Sequence, residues 1–346
     1  MEGVTRFRAM GTDVHVIVAG GPVTLLEAAR ELIEELELRW SRFKAGSEIS
    51  RLNAHRAEPL RVSRETLALV QRALEGARIT NGRYDPTVLG AVLQAGYDRS
   101  FELLADQAGP TTPASGPGTA PGAAFGPGSN PRLPGAPPRQ RHAWRAIAVD
   151  PVASTVTLPG GVGFDPGGIG KGYAADLVVA ELLRQGAAGV CANLGGDLRV
   201  EGEPPAGRSW RVVIEHPLWR RPAATVGLRG GAVATSSRTR RAWGPSSDRR
   251  HHLIDPATGL PARGGTAAAS VIAAEAWQAE VLAKALFLSG LGDGFALLDQ
   301  TGSDGLLIDD DGAVHQSPGF CRFTGQLPSP RPSISVTVPQ LAKAVR

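Results

Sequence analysis

Gly163-Phe164-Asp165-Pro166-Gly167-Gly168-Ile169-Gly170-Lys171-Gly172-Tyr173-Ala174-Ala175-Asp176 is the stretch from which the rest of the chain is read. It has the form of a strand end, a glycine-dense turn and a helix that places Ala174, Leu177, Val178 and Leu182 on one face. Glycines let backbone amides approach a ligand closely, and a helix N-terminus favours an anion. Lys171 adds a mobile cation at the same point. The stretch therefore reads in two ways, as a phosphate or diphosphate site or as a tight structural turn. It is not a Walker A loop, which needs Gly and Ser/Thr where Asp165 and Gly172 stand. Nor is it a dinucleotide fingerprint, since Pro166 takes the place of the third glycine after Gly161 and Gly163.

The chain has 346 residues, 42% hydrophobic and 20% charged, which suits a globular protein with an ample core. Its net charge of +4 is spread out except around Arg238–Arg250. That cluster suits an anionic ligand but lacks the interleaved aromatics of a nucleic-acid surface, so no nucleic-acid partner is expected. The two cysteines, Cys191 and Cys321, exclude a disulfide framework and form no zinc spacing. No run approaches 18 apolar residues, so no membrane span is expected. The start Met1–Arg8 carries neither a signal-peptide core nor a lipobox cysteine, and for the chain as written a cytoplasmic location is expected.

Along the chain, residues 7–19 read as a strand broken at Met10-Gly11-Thr12 by a turn or bulge. Residues 24–40 read as an amphipathic helix with a Thr24/Glu27 capping box, and residues 63–79 as a second helix capped by Ser63. Between them a polar loop from Trp40 to Asn53 leads into a short helix. Tyr84, after an Asn-Gly turn, suits either a stacking platform or a half-buried anchor. Residues 106–142 hold nine prolines and seven glycines in 37 positions, and are expected to be a disordered surface insertion. Strand-like sequence resumes at 143–158. Residues 191–200 read as a strand with a glycine pair at a bulge or a ligand approach, 275–289 as a helix, 319–324 as a final strand and 326–346 as a tail. His251 and His252 point to opposite sides of any strand, so only one of the pair can face a site.

Six motifs, taken in order, give the chain a resemblance to the ApbE-type FAD:protein FMN transferases. They are Met10-Gly11-Thr12; Ser41-Arg42-Phe43 with Ser47 through Asn53; Gly82-Arg83-Tyr84-Asp85-Pro86-Thr87; Asp165 through Asp176; Asn193-Leu194-Gly195-Gly196-Asp197; and His252-Leu253-Ile254-Asp255-Pro256-x-Thr258-Gly259-x-Pro261. The resemblance implies an α+β fold in one large domain, residues 1–325, with mixed and antiparallel sheets and flanking helices. It also implies cleavage of the FAD diphosphate and transfer of FMN, through a phosphoester, to a Thr or Ser of a target flavoprotein, with release of AMP and the use of magnesium.

By matched position, the resemblance assigns FAD contacts to Met10, Phe43, Arg83, Tyr84, Asp85, Asp165, Lys171 and Ile254. It makes His252 the base that activates the acceptor hydroxyl and gives Gly168 a place at the metal. Asp197 and Asp255 are expected to support the site as turn-forming residues.

The departure lies on the last long helix. The family pattern there is roughly Ala-Asp-Ala, two residues, then Thr, with Asp and Thr helping to bind magnesium. This chain has Ala279-Glu280-Val281-Leu282-Ala283-Lys284. Glu280 keeps an acidic ligand, whereas the Lys284 ammonium cannot ligate a metal while protonated. One turn apart, the two suit an ion pair with each other. Lys284 is expected in or beside the metal site, partly replacing the cation or changing the metal requirement. The altered motif keeps two other functions open, a non-catalytic FAD-binding protein and an FAD diphosphatase.

Overall fold

The chain opens with a hairpin. Strand β1 (Glu2–Ala9) and strand β2 (Thr12–Ala19) pair in antiparallel register, Ala9 opposite Thr12. The break read at Met10-Gly11-Thr12 is thus the turn of a hairpin and not a bulge in one strand. Met10 sits there at φ +52, a conformation uncommon for a side-chain-bearing residue. The computed structural model describes residues 2–101, 104, 142–244, 250–325 and 336–337. The insertion expected at 106–142 lies, up to residue 141, outside the described residues.

Helix α1 (Thr24–Trp40) follows, then α2 (Glu48–Ala54), the short strand β3 (Leu60–Arg61), α3 (Arg64–Ile79) and α4 (Leu89–Gln94). Ser63 caps α3 by accepting the Thr66 amide, as its sequence predicts. The capping box expected at Thr24 does not form. Val23 is the N-cap, Thr24 is already helical, and no side chain caps the first turn.

Residues 143–158 give a short 3-10 turn (Ala143–Ala146) and the strands β4 (Ala148–Asp150) and β5 (Thr155–Thr157), instead of one strand. Next come α5 (Gly170–Arg184), β6 (Gly189–Leu194) and β7 (Asp197–Gly202). The last two form a second hairpin, and Gly195 and Gly196, at φ +67 and +107, supply its turn and not the expected bulge or ligand approach. Strands β8 (Trp210–Glu215), β9 (Pro222–Leu228), β10 (Gly231–Ser237), β11 (Ala242–Trp243), β12 (Arg250–His251) and β13 (Ala268–Ala273) lead to α6 (Ala276–Ser289) and α7 (Leu291–Gln300). Strands β14 (Asp304–Ile308) and β15 (Val314–Gln316) precede helix α8 (Cys321–Thr324), which stands where a final strand was expected. From the segment read as a tail, β16 (Val336–Thr337) pairs in parallel with β8.

Eight strands make one sheet in the order β1-β2-β6-β7-β10-β13-β14-β15. Every pairing within it is antiparallel. Both faces are covered. Along β2, Val14, Val16 and Val18 pack into the cluster formed with α1, α3, α5 and α6, while Ile17 joins the cluster under β8 and β9. The period-two alternation therefore sorts side chains between two cores, which is why the strand reads as a nearly unbroken apolar run. Each such buried aliphatic contributes roughly 1.5–3 kcal/mol. A third, small cluster gathers Val92, Tyr97, Trp243 and Ile254.

Candidate active site

The glycine-dense stretch is anchored from two sides. Asn53, on α2, exchanges hydrogen bonds with Phe164: its Nδ2 donates to the carbonyl at 2.9 Å and its Oδ1 accepts the amide at 2.7 Å. The Asp165 amide donates to the Pro86 carbonyl at 2.8 Å. Asp85, buried just before that proline, accepts from the Thr87 amide at 2.8 Å and fixes the turn. Asp165 is thus presented at the mouth of the loop, where its Oδ1 accepts the Gly167 amide at 3.0 Å and lies 3.8 Å from Arg42 Nε.

Helix α5 starts at Gly170, and its first turn packs against the start of α6. A Cβ at Gly172 would run into the Ala276 carbonyl, so only glycine permits this approach. The contact is locked by carboxylates running both ways. Asp176 on α5 accepts the Ala276 and Trp277 amides at 2.8 and 2.9 Å, capping α6 from outside. In return, Glu280 on α6 accepts the Gly172 amide at 2.8 Å. Burial pushes the Asp176 carboxyl up to about 7, against the opposing pull of those two amides and Arg199.

These elements enclose a cavity of about 380 Å³. Met10 and Gly11 of the first hairpin line one side, Trp40 through Lys44 another, and Asp165, Pro166, Gly167 and the start of α5 a third. Arg241, His252 and Lys284 close it. Six cationic side chains, Arg8, Arg42, Lys44, Lys171, Arg241 and Lys284, face two carboxylates, Glu37 and Asp165, so the cavity suits an anion. Aromatic surface is present as well. Phe43 is 41% exposed, and the Arg42 guanidinium lies between the Phe43 and Tyr97 rings at 4.2 and 4.3 Å. Arg42 Nη1 donates to the Tyr97 carbonyl at 2.8 Å, while its buried Nη2 has no partner among the described residues.

Of the residues singled out in the sequence, Met10, Phe43, Asp165, Lys171, His252 and Lys284 meet at this cavity. The others do not line it. Arg83 is a surface residue whose Nη2 lies 3.9 Å from Asp293. Tyr84 is 1% exposed, so it is neither a stacking platform nor a half-buried anchor. Its hydroxyl has no partner among the described residues, and burial raises the phenol well above its usual range. Asp85 shapes the turn described above. Ile254 is buried in the small cluster beside Trp243 and bridges to Pro261. Gly168 and Glu280 lie behind the cavity wall, in contact with the two lysines.

Those lysines differ. Lys171 is ion-paired with Asp197 and, at 2.9 Å, with Glu280 Oε1. Glu280 therefore turns away from Lys284, and the pair expected from their one-turn spacing is replaced by a Lys171–Glu280 pair. Asp197, expected as a turn-forming residue, is instead an ion-pair partner of Lys171. Lys284 instead reaches over Gly168. A Cβ on that glycine would fall on the ammonium and lie 3.0 Å from the Tyr84 ring. Burial lowers both lysines from their ordinary range. Glu280 opposes this at Lys171, and Asp165 and then Glu280 oppose it at Lys284.

This donor set does not fit the magnesium implied by the resemblance. Both Glu280 oxygens are engaged, Asp197 is held by Lys171, and an ammonium covers Gly168 where a metal would need an oxygen donor. No group of three or more His, Cys, Asp or Glu among the described residues is arranged for a metal.

Only one of His251 and His252 faces the cavity, His252 lying just past the end of β12. His251 is buried and shares a hydrogen bond with the Ala262 carbonyl at 2.9 Å, and burial pushes it down to about 4. His252 faces the cavity, with Nδ1 at 3.4 Å from the Arg241 carbonyl. A carbonyl only accepts, so this contact places the proton on Nδ1 and leaves the Nε2 lone pair available. Burial foremost, then Arg241, Lys284 and His251, hold His252 well below its usual range and keep it neutral.

Residues 10–307 match the ApbE family. The chain belongs to that family. Similar proteins include an FAD:protein FMN transferase of Treponema pallidum (strain Nichols), 29% identical over 310 residues, covering 85% of this chain and 80% of the relative. Another, of Haemophilus influenzae, is 26% identical over 302 residues, covering 82% and 79%. Among solved structures, the ApbE protein of Thermotoga maritima superposes with a TM-score of 0.77 at 26% identity, covering 94% of this chain and 99% of that one. The flavin transferase ApbE of Vibrio cholerae gives 0.71 at 25%, covering 93% and 99%. The α+β expectation holds for this ApbE-family chain, with its antiparallel sheet and flanking helices. The sequence missed Arg42 and Arg241 as cavity residues. Both lie inside stretches already singled out, one next to Phe43 and one in the arginine cluster, but no spacing showed that they converge. No helix among the described residues is long and apolar enough to cross a membrane.

Proposed function

We propose that the chain is an FAD:protein FMN transferase that attaches FMN to a Thr or Ser hydroxyl of a target flavoprotein. The observation that carries this reading is a neutral, cavity-facing His252 that lines one cavity with Arg241, Lys284, Asp165 and Lys171. The charge excess of the cavity suits a diphosphate, and Phe43 offers a face for a flat ring.

The acceptor oxygen attacks the phosphorus of the FMN half. A new O–P bond forms as the bond from that phosphorus to the bridging oxygen breaks, and AMP leaves with that oxygen. His252 Nε2 takes the hydroxyl proton. Charge developing on the phosphoryl oxygens is met by cationic side chains of the cavity. Met10, Phe43, Asp165 and Lys171 contact FAD directly in this reading. Tyr84, Asp85 and Ile254 act through the loops they anchor, and Arg83 has no direct role in it.

Incubation with FAD, excess magnesium and a Thr-containing acceptor domain, followed by intact mass, tests the proposal. Addition of one FMN less one water, with AMP released, is the expected result. AMP and free FMN without labelling would identify a diphosphatase, and binding without cleavage a carrier.

A further inference from the structure

We propose that Lys284 is a built-in cation for the substrate diphosphate, standing where the family pattern implies a divalent metal, so that FAD binds this chain without one. The proposal rests on the FAD reading above. Three observations carry it. Lys284 lines the cavity, yet its ammonium has no hydrogen bond or ion pair among the described residues, only the Tyr84 ring at 5.8 Å. A largely buried ammonium without a carboxylate partner is costly unless an anion completes it. Second, the ammonium covers Gly168, in the turn that presents Asp165 and starts α5. It therefore stands at the cavity's anion-favouring end. Third, two of the carboxylates behind the cavity wall, Asp197 and Glu280, are already neutralised. Lys171 holds Asp197 and Glu280, and Glu280 also accepts the Gly172 amide. One lysine removes the acidic donors a metal would use, and the other supplies the charge that metal would bring.

FAD binding followed by flavin fluorescence tests this, with riboflavin, which lacks the phosphates, as the control. The wild-type dissociation constant for FAD is expected to agree within about twofold in EDTA and in magnesium, since no metal is bound. Lys284→Met is expected to weaken FAD by roughly 10- to 100-fold, the loss of one charge-assisted contact, and to leave riboflavin unchanged. Lys284→Thr is expected to bind FAD weakly in EDTA and to recover with magnesium. Wild type that loses FAD in EDTA and regains it with magnesium would overturn the proposal, as would Lys284→Met with unaltered FAD affinity. Riboflavin binding by each variant shows that its fold is intact. FMN labelling measured separately in excess magnesium bears on the transferase reading alone. If labelling is absent while FAD affinity follows Lys284, that reading fails and the cation assignment stands.

Discussion

At the residue scale the chemistry turns on one proton acceptor. His252 is useful as a base because burial and the neighbouring cations keep it neutral, and its contact with the Arg241 carbonyl directs the lone pair of the other nitrogen outward. His252→Ala is expected to lower the labelling rate by about 10²- to 10⁴-fold, the usual contribution of a positioned base, with FAD affinity nearly unchanged. Single-turnover labelling beside a binding titration checks this. The pH dependence follows from the same shift. The neutral imidazole is the active form, and its pKa in the folded protein lies well below the ordinary 6.5. Labelling is therefore expected to stay level as pH falls from 8 to 6.5, with its acid limb below that. A limb centred at the ordinary value would contradict the burial account. Of the cavity residues, Met10, Phe43, Asp165, Lys171 and His252 were legible from the matched motifs, and Lys284 from the departure on the last long helix. The partner of Glu280 was not. Spacing along one helix favours Lys284, but Lys171, 109 positions away in sequence, arrives on another helix and takes the carboxylate.

At the scale of elements, the site is held by the junction of α5 and α6. Gly172 allows the helices to touch, Asp176 caps one and Glu280 the other. Gly172→Ala forces its methyl into the Ala276 carbonyl and is expected to destabilise the protein by about 1–3 kcal/mol, in the range of other overpacking changes. Chemical denaturation measures this directly. Asp176 carries a pH signature. Its folded pKa, raised to about 7 from 3.8, means that its stabilisation is complete below 3.8 and is lost as pH rises through 7. Asp176→Asn removes that loss. Between pH 4.5 and 6.5 the stability of the variant relative to wild type is expected to climb by roughly 1.4 kcal/mol per pH unit, one proton's worth. Paired urea titrations at the two pH values give the slope. Elements with a strong 3.6-residue period were legible, α1 and α3 among them. At Met10-Gly11 the sequence left a turn and a bulge open, and at Gly195-Gly196 it suggested a bulge or a ligand approach, because a glycine inside an apolar run does not declare a hairpin until the partner strand is known.

At the scale of the molecule, an eight-stranded antiparallel sheet with both faces buried supports a charged cavity lined from the first hairpin, the loop after α1, the glycine loop, α5 and α6. The sequence could name the fold only through the order of its motifs. Its alternation is split between two cores, so no single strand shows which neighbour it pairs with. The architecture brings together a hairpin turn near residue 10, a glycine loop near 168 and a histidine at 252, and the account is that this convergence transfers FMN. Intact mass of a Thr-containing acceptor domain after incubation with FAD is the most direct test. The account predicts one added FMN less water, an equal amount of AMP, and loss of both in His252→Ala. An acceptor left unmodified while FAD remains whole, or labelling that persists in His252→Ala, would contradict it.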